Sequence, residues 1–142
     1  MQLLLDTHLL LWAVDEPERL DAALIQMLED PLNTPVFSVV SLWELVINRG
    51  LDRPDFQVEP SLIRHALLEG GWRELPVEAH HALAVGQLPA LHRDPFDRLL
   101  LAQAQADGLL LITADQLLAQ YPGPVRRCLL YTSPSPRDLQ GS

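Results

Sequence analysis

The segment LLLDTHLLLW, residues 3–12, decides the fold class of this chain. A brief apolar run, Gln2–Leu5, ends sharply at Asp6, as is typical of a buried β-strand. Residues 7–14 continue as an apolar helix, so a strand passes directly into a helix. Short apolar runs and longer helical patterns alternate in the same way along the rest of the sequence. This order predicts a single-domain α/β/α sandwich, with a mainly parallel sheet covered on both faces.

The other elements are predicted from apolar runs, prolines and glycines. Further strands are expected over 36–40, 72–75, 109–112 and 125–131. Helices are expected from Pro17 to about Leu28, from Ser41 to Gly50, over 61–68, from near Pro76, over 95–106 and over 114–120. No internal repeat is visible.

Composition limits the class of protein. A chain of 142 residues with 48% hydrophobic content can build one well-buried domain. No apolar run reaches the ~18 residues of a membrane-spanning helix, so no membrane association is expected. The apolar N-terminus is interrupted by Asp6 and His8, which favours a core element over an export signal. The single cysteine, Cys128, excludes an intrachain disulfide and fits a reducing cytoplasm.

The C-terminal segment differs from the rest of the sequence. Residues 128–138, CLLYTSPSPRD, resemble the translation of a transposon-end sequencing adapter joined to a truncated gene. The alternative is a disordered tail, because a Ser/Pro-rich stretch cannot pack a core. We therefore expect the domain to cover residues 1–127 and the tail, 128–142, to be non-native or disordered.

Four acids are placed where the predicted strands end. Asp6 and Asp115 follow the first and fourth strands, Glu44 comes four residues after the second, and Asp97 lies in the first turn of the helix over 95–106. Parallel strands deliver their carboxyl ends to one edge of the sheet, where ligand sites form. Several carboxylates in one crevice repel each other unless a cation lies among them, and hard oxygen ligands suit Mg²⁺ or Mn²⁺.

Each acid also has a purely structural explanation. Asp6 and Asp115 would cap the helices that follow them. SLWE (41–44) fits a capping box, and DPFD (94–97) fits a helix start with proline in the first turn. Independent caps need not all fall at one sheet edge, so the pattern as a whole favours a shared metal site.

Four motifs in order resemble the PIN domain, and specifically the VapC-like toxins. They are LLLDTHLLLW (3–12), SVVSLWEL (38–45), HRDPFDRLLLAQA (92–104) and LLITAD (110–115), and the match covers nearly all of residues 1–127. The resemblance implies an α/β/α sandwich, metal-dependent endoribonuclease activity on an RNA substrate, and a cognate VapB-like antitoxin. It also suggests a homodimer.

The resemblance assigns catalysis and metal binding to particular residues. The four acidic positions of the PIN active site fall on Asp6, Glu44, Asp97 and Asp115. Asp94 matches an extra acid of this subgroup and ranks below them as a metal ligand. Thr113 matches a small hydroxyl residue beside the last acid. The implied cofactor is Mg²⁺ or Mn²⁺, and the implied chemistry is hydrolysis of a phosphodiester.

Other polar residues receive more modest predictions. His8 is expected to be a packed or partly buried structural histidine, and His80 with His81 to lie on an exposed helix without partners at ligand spacing. Arg98 is expected either to touch phosphate or to pair with an acid. Trp12 and Trp43 are expected in the core or at an interface. The formal net charge of −9 is unusual for an RNA-binding protein.

Two further functions compete with the nuclease. The first is a catalytically inactive PIN-like module that only binds a partner, its acids serving as helix caps. The second is a phosphatase or a phosphoryl-accepting receiver with Asp6 as nucleophile. The phosphatase pattern needs a second Asp two residues on, where this chain has His8, and the receiver needs a lysine that this sequence lacks altogether.

Overall fold

The computed structural model describes residues 1–51, 57–90 and 94–127. Within these ranges, strands that are all parallel to their neighbours form one sheet, in the order β3-β2-β1-β4-β5. The strands are β1 (Gln2–Leu5), β2 (Thr34–Ser38), β3 (Arg73–Leu75), β4 (Leu110–Thr113) and β5 (Val125–Arg127).

Helices cover both faces of this sheet. They are α1 (Thr7–Asp15), α2 (Ala22–Glu29), α3 (Val39–Gly50), α4 (Pro60–Glu69), α5 (Ala79–Ala84) and α6 (Pro95–Asp107). Successive strand residues point to opposite faces, so Leu3 and Leu5 pack with α1, α2 and α4, while Leu4 packs with α6. The predicted α/β/α sandwich is therefore confirmed. In the described ranges, no helix has the length and apolar character needed to cross a membrane.

The junction between β2 and α3 differs from the prediction. The strand ends at Ser38 and not at residue 40, because the Ser38 hydroxyl accepts a hydrogen bond from Val40 N at 3.0 Å and so caps α3. Ser41 and Glu44 consequently lie inside α3, and the predicted capping box over 41–44 is wrong. This moves Glu44 away from the helix start and leaves its carboxyl group to other partners.

Two predicted helices are shorter than expected. The segment from Pro17 forms only one 3₁₀ turn, and α2 begins at Ala22 because the Asp21 side chain accepts from Ala23 N at 2.6 Å. Residues 114–120 likewise contain one 3₁₀ turn, Leu118–Gln120. The predicted last strand is described only as β5, and residues 128–142, with the prediction of a non-native tail, lie outside the described residues.

The turn between α6 and β4 is formed as predicted. Gly108 ends α6 in the left-handed conformation, with φ of 72°, which glycine adopts without steric cost. Leu109 N then donates to Ala104 O at 2.9 Å, and the chain enters β4 in the centre of the sheet. This path leads β4 to the same sheet edge at which β1 ends.

Candidate metal-binding site

All the predicted site acids meet in one cleft at the carboxyl edge of the sheet. The cleft has a volume of about 320 Å³. Its lining consists of Asp6, Thr7, His8, Glu44, Asp94, Asp97, Ala114 and Asp115. Five carboxyl groups from separate parts of the sequence therefore share this space, and the predicted convergence at the ends of β1, β2 and β4 is confirmed as geometry.

Asp6 is the most firmly held acid of the cleft. Its Oδ1 accepts from Leu9 N at 2.9 Å and so caps α1, as predicted. Its Oδ2 accepts from the Thr113 hydroxyl and from Ala114 N, the latter at 3.1 Å. The side chain is only 5% exposed, and burial raises its pKa although these hydrogen bonds oppose the shift. Asp6 thus joins the end of β1 to the end of β4.

Glu44 is held by a hydroxyl group from α1. The Thr7 hydroxyl lies 2.5 Å from Glu44 Oε1 and 3.0 Å from the hydroxyl of Ser41, one turn earlier on α3. A carboxylate can only accept a hydrogen bond, so the Thr7 hydroxyl donates its hydrogen to Glu44. It therefore accepts a hydrogen bond from the Ser41 hydroxyl. Burial is the main cause that raises the pKa of Glu44, and the negative charge of Asp94 raises it further. Neither Thr7 nor Ser41 was predicted in this role, because no local pattern links Thr7 to Glu44, 37 positions later in the sequence.

Asp97 is an acid of the cleft with a strongly raised pKa. Asp94 caps α6 by accepting from Phe96 N at 2.9 Å and Asp97 N at 3.4 Å, which confirms the predicted helix start. Asp97 is the third residue of α6, and its carboxyl group is partly buried among the other acids. Burial and then the charge of Asp94, with smaller contributions from the remaining acids, raise the pKa of Asp97 to about 8. Such a cluster of mutually repelling carboxyl groups is expected of a site built for a cation.

Asp115 and Thr113 connect the last acid to the first. Asp115 Oδ1 accepts from Leu118 N at 3.0 Å and caps the short turn that follows, as predicted. Asp115 N in turn donates to the Thr113 hydroxyl at 2.9 Å. Because the same hydroxyl donates to Asp6, Thr113 fixes the spacing between the two strand ends.

Comparison with known proteins agrees with this architecture. The family model described as the PIN domain matches residues 3–124. The chain belongs to the PIN-domain family. This is a family of nucleases. Among curated proteins, none matches the chain.

Solved structures similar to this PIN domain are toxin–antitoxin complexes. VapBC2 from Rickettsia felis, bound to a DNA fragment from its promoter, matches with a TM-score of 0.67 and 17% identity, over 90% of this chain and 99% of that chain. DNA-bound VapBC from Salmonella typhimurium matches with a TM-score of 0.62 and 16% identity, over 89% and 98%. A toxin–antitoxin complex from Klebsiella pneumoniae matches with a TM-score of 0.55 and 20% identity, over 87% and 94%. At these identities the likeness shows the shared fold.

His8 is placed differently from the prediction. It is exposed and lines the acidic cleft of the PIN domain, whereas its neighbours Thr7 and Leu9 are buried. The first turn of α1 explains this, because Asp6 and Thr7 direct their side chains inward to the sheet edge and α3, so the next residue faces solvent. The expectation of a packed structural histidine is therefore wrong.

The arginines of interest have protein partners outside the cleft. The Arg98 guanidinium group donates to Val85 O at 3.3 Å, a contact with neither phosphate nor an acid. Arg49 forms an ion pair with Glu59 on the surface. Two further arginines, Arg53 and Arg93, lie outside the described residues.

The two adjacent histidines of α5 have a partner that the sequence did not reveal. His80 Nε2 and His81 Nε2 each lie 2.9 Å from a carboxylate oxygen of Asp107, at the end of α6. His81 is 1% exposed, so the prediction of two exposed, partnerless histidines is wrong. Its Nδ1 accepts from Glu78 N at 3.0 Å, which places the ring proton on Nε2, facing Asp107.

This tautomer argues against a metal ion at the histidine pair. A metal at Nε2 would move the ring proton to Nδ1, where it would face the Glu78 N–H donor. Metal-bound histidines instead direct the second ring N–H at an acceptor. The histidine pair therefore links α5 to the end of α6, and the acidic cleft is the better cation site.

Proposed function

We propose that this PIN domain is a metal-dependent endoribonuclease and the toxin of a toxin–antitoxin pair. The observation that carries the proposal is the meeting of five carboxyl groups in one cleft, with the pKa of Asp97 raised to about 8 by burial and by its acidic neighbours. Such mutual repulsion is relieved by a cation. All-oxygen donors of this kind fit Mg²⁺ or Mn²⁺.

The residues that would hold the cation are those whose oxygens face the cleft. Asp6, Glu44 and Asp97 are the main proposed ligands, directly or through water, and Asp115 completes the site. Asp94 ranks below them, because in the resemblance to VapC-like toxins it matches only an extra acid of this subgroup. A divalent cation bound there supplies Lewis-acid chemistry: it lowers the pKa of water and stabilises charge on a phosphate.

The protein's own contribution is positioning. Thr113 and Ala114 N hold Asp6, and Thr7 holds Glu44, so two carboxylates reach the cleft in fixed orientations before any ligand arrives. Hydrolysis by activated water needs no nucleophilic side chain.

RNA as substrate and an antitoxin as partner are supported by similarity. The motifs that include Asp6, Glu44, Asp97 and Asp115 resemble those of VapC-like toxins, which act on RNA. The similar solved structures are toxin–antitoxin complexes, which supports a VapB-like antitoxin for this chain. A homodimer is proposed on the same resemblance.

One observation favours the alternative of an inactive partner-binding module. Asp6, Asp94 and Asp115 all accept capping hydrogen bonds, as that hypothesis requires. It leaves Glu44 and Asp97 unexplained, since Ser38 caps α3 and Asp94 caps α6. A buried acid and an acid of raised pKa beside three further carboxyl groups are costly without a ligand, so we favour the metal site.

A cleavage assay tests the proposal. The full chain is incubated with total RNA and with a single-stranded RNA oligonucleotide in Mg²⁺ or Mn²⁺, against an EDTA control and a DNA oligonucleotide of the same sequence. We expect cleavage of RNA that EDTA abolishes. Equal cleavage of DNA would refute the choice of RNA, and no cleavage by a folded, metal-loaded protein would favour the partner-binding module.

Thr7 offers a more specific prediction for the same assay. Thr7→Val keeps the shape of the side chain but removes its hydroxyl group. The buried Glu44 Oε1 then loses its hydrogen-bond donor. We expect kcat/KM to fall about tenfold, as for the loss of one hydrogen bond to a charged group. Thr7→Ser restores the hydroxyl and should recover most of the activity, and activity of the valine variant equal to wild type would show that Glu44 needs no such support.

A further inference from the structure

The acidic cleft repels the negatively charged substrate of a nuclease. Its lining includes five carboxyl groups, and an RNA phosphodiester is itself an anion. Among the described lining residues, only His8 has a basic nitrogen. A hydrogen-bond donor in the cleft would add to what a cation contributes to binding the substrate, and His8 is placed to provide one.

The first turn of α1 presents His8 to the cleft. Asp6 caps the helix, and the Thr7 hydroxyl donates a hydrogen bond to Glu44. His8 is the exposed residue of this turn and still lines the cleft. Burial raises the pKa values of Asp6 and Glu44, and the charge of the nearby His8 imidazole opposes both shifts, which places it within electrostatic reach of both acids.

Three other donors have partners in the protein, namely Thr7, Arg98 and Arg49. Thr7, a hydroxyl residue of the lining, donates its hydrogen to Glu44. Arg98 donates to Val85 O, and Arg49 pairs with Glu59 on the surface. None of these side chains brings positive charge or a donor to the space between the acids.

We propose that His8 contacts the substrate directly, donating a hydrogen bond from its imidazole N–H to a non-bridging oxygen of the RNA phosphodiester. This inference rests on the proposed nuclease function. It does not depend on the charge of the ring, because imidazole has an N–H in either neutral tautomer and in the cation. His8 would then be a substrate-binding residue and not a metal ligand.

Three substitutions at His8 separate its possible contributions. His8→Ala removes the side chain, His8→Phe keeps a ring without an N–H, and His8→Gln keeps an N–H donor of similar reach. The matched control is His65→Ala, since His65 is an exposed histidine beside a carboxylate, Glu69, on α4 and is not among the cleft residues. Each variant is checked for folding by circular dichroism and thermal melting.

Four quantities are measured for every variant. They are kcat and KM on a single-stranded RNA oligonucleotide in Mg²⁺, the affinity for that oligonucleotide in Ca²⁺ with its integrity verified afterwards, and the affinity for Mn²⁺ by calorimetry. For His8→Ala and His8→Phe we expect KM and the RNA dissociation constant to rise about tenfold, the loss of one charge-assisted hydrogen bond. His8→Gln should recover part of this loss, and His65→Ala should match wild type. Mn²⁺ affinity should be unchanged throughout.

Several outcomes would overturn the proposal. A loss of Mn²⁺ affinity in His8→Ala would make His8 a metal ligand. A fall in kcat with unchanged KM and RNA affinity would exclude a contact in the bound ground state, and wild-type values in all variants would exclude any contact. If the wild type binds RNA but does not cleave it, the nuclease proposal fails while the comparison of affinities still decides the role of His8. A wild type that does not bind RNA overturns both.

Discussion

Replacing Asp97 by asparagine is expected to abolish metal-dependent RNA cleavage while leaving the PIN fold intact. Asparagine keeps the size of the side chain but removes the charge that a divalent cation requires. Even residues that only support metal ligands cost about 10- to 100-fold when changed, so we expect kcat/KM to fall by at least about 100-fold. The affinity for Mn²⁺, measured by calorimetry, should fall in parallel.

The control for this substitution is another acid outside the cleft. Asp15→Asn changes an exposed acid at the end of α1, with the same loss of one negative charge. It should cleave RNA at the wild-type rate. If Asp97→Asn kept wild-type activity, the cleft would not be the active site, and residual cleavage insensitive to EDTA would point to a contaminating nuclease.

The position of the site was predictable because it follows from topology. Once the strands were predicted to be parallel, Asp6 after β1 and Asp115 after β4 had to reach the same sheet edge. Local patterns such as DPFD (94–97) also gave the start of α6 correctly. These features depend on residues close together in sequence or on a rule that applies to every parallel sheet.

The details of the site were not predictable for the converse reason. Ser41 and Glu44 have the spacing of a capping box, but Ser38 caps α3, and Ser41 instead contacts Thr7 of another helix. The choice between core and interface was equally hard to predict: Trp12 is buried, whereas Trp43 is exposed and so lies outside the core, packing edge-on against Phe96 with ring centroids 4.9 Å apart. Such contacts are set by the packing of distant elements, and a single sequence contains no local signal for them.

Capping and metal binding are compatible in this cleft. Asp6 uses Oδ1 for its cap, while its other oxygen is held by β4. A helix N-terminus stabilises a carboxylate in its charged form, which is also the form that binds a cation. The same acid can therefore cap a helix and bind a cation, and the interpretation as caps does not weaken the proposal of a metal site.

The metal-free protein is expected to lose stability as pH rises towards 8, because of Asp97. Its pKa is raised from 3.8 to about 8, by burial and then by the charge of Asp94 and the other acids. Between these values the folded protein keeps a proton that the unfolded chain has released. The protonated Asp97 therefore contributes its full stability below pH 3.8, the ordinary pKa that applies to the unfolded chain. This contribution is lost as pH rises to and through about 8, the pKa in the folded protein.

Urea unfolding in EDTA at a series of pH values from 5 to 8.5 measures this loss. Relative to Asp97→Asn, which has no group to titrate at this position, the free energy of unfolding of the wild type should fall by about 4 kcal/mol across the series. Taking the difference between the two proteins cancels the titration of groups distant from Asp97. It leaves the titration of Asp97 together with its interaction with the other acids of the cleft.

Saturating Mg²⁺ should remove the difference in slope, because a cation replaces the proton as the partner of the ionised Asp97. It should also raise the stability of the wild type, since a ligand that binds only the folded state stabilises it. A wild type and an Asp97→Asn variant with the same dependence on pH would mean that the acids do not repel each other in the cleft. In that case the electrostatic reason for placing a cation there would be lost, even if the five carboxyl groups lie where the structure places them.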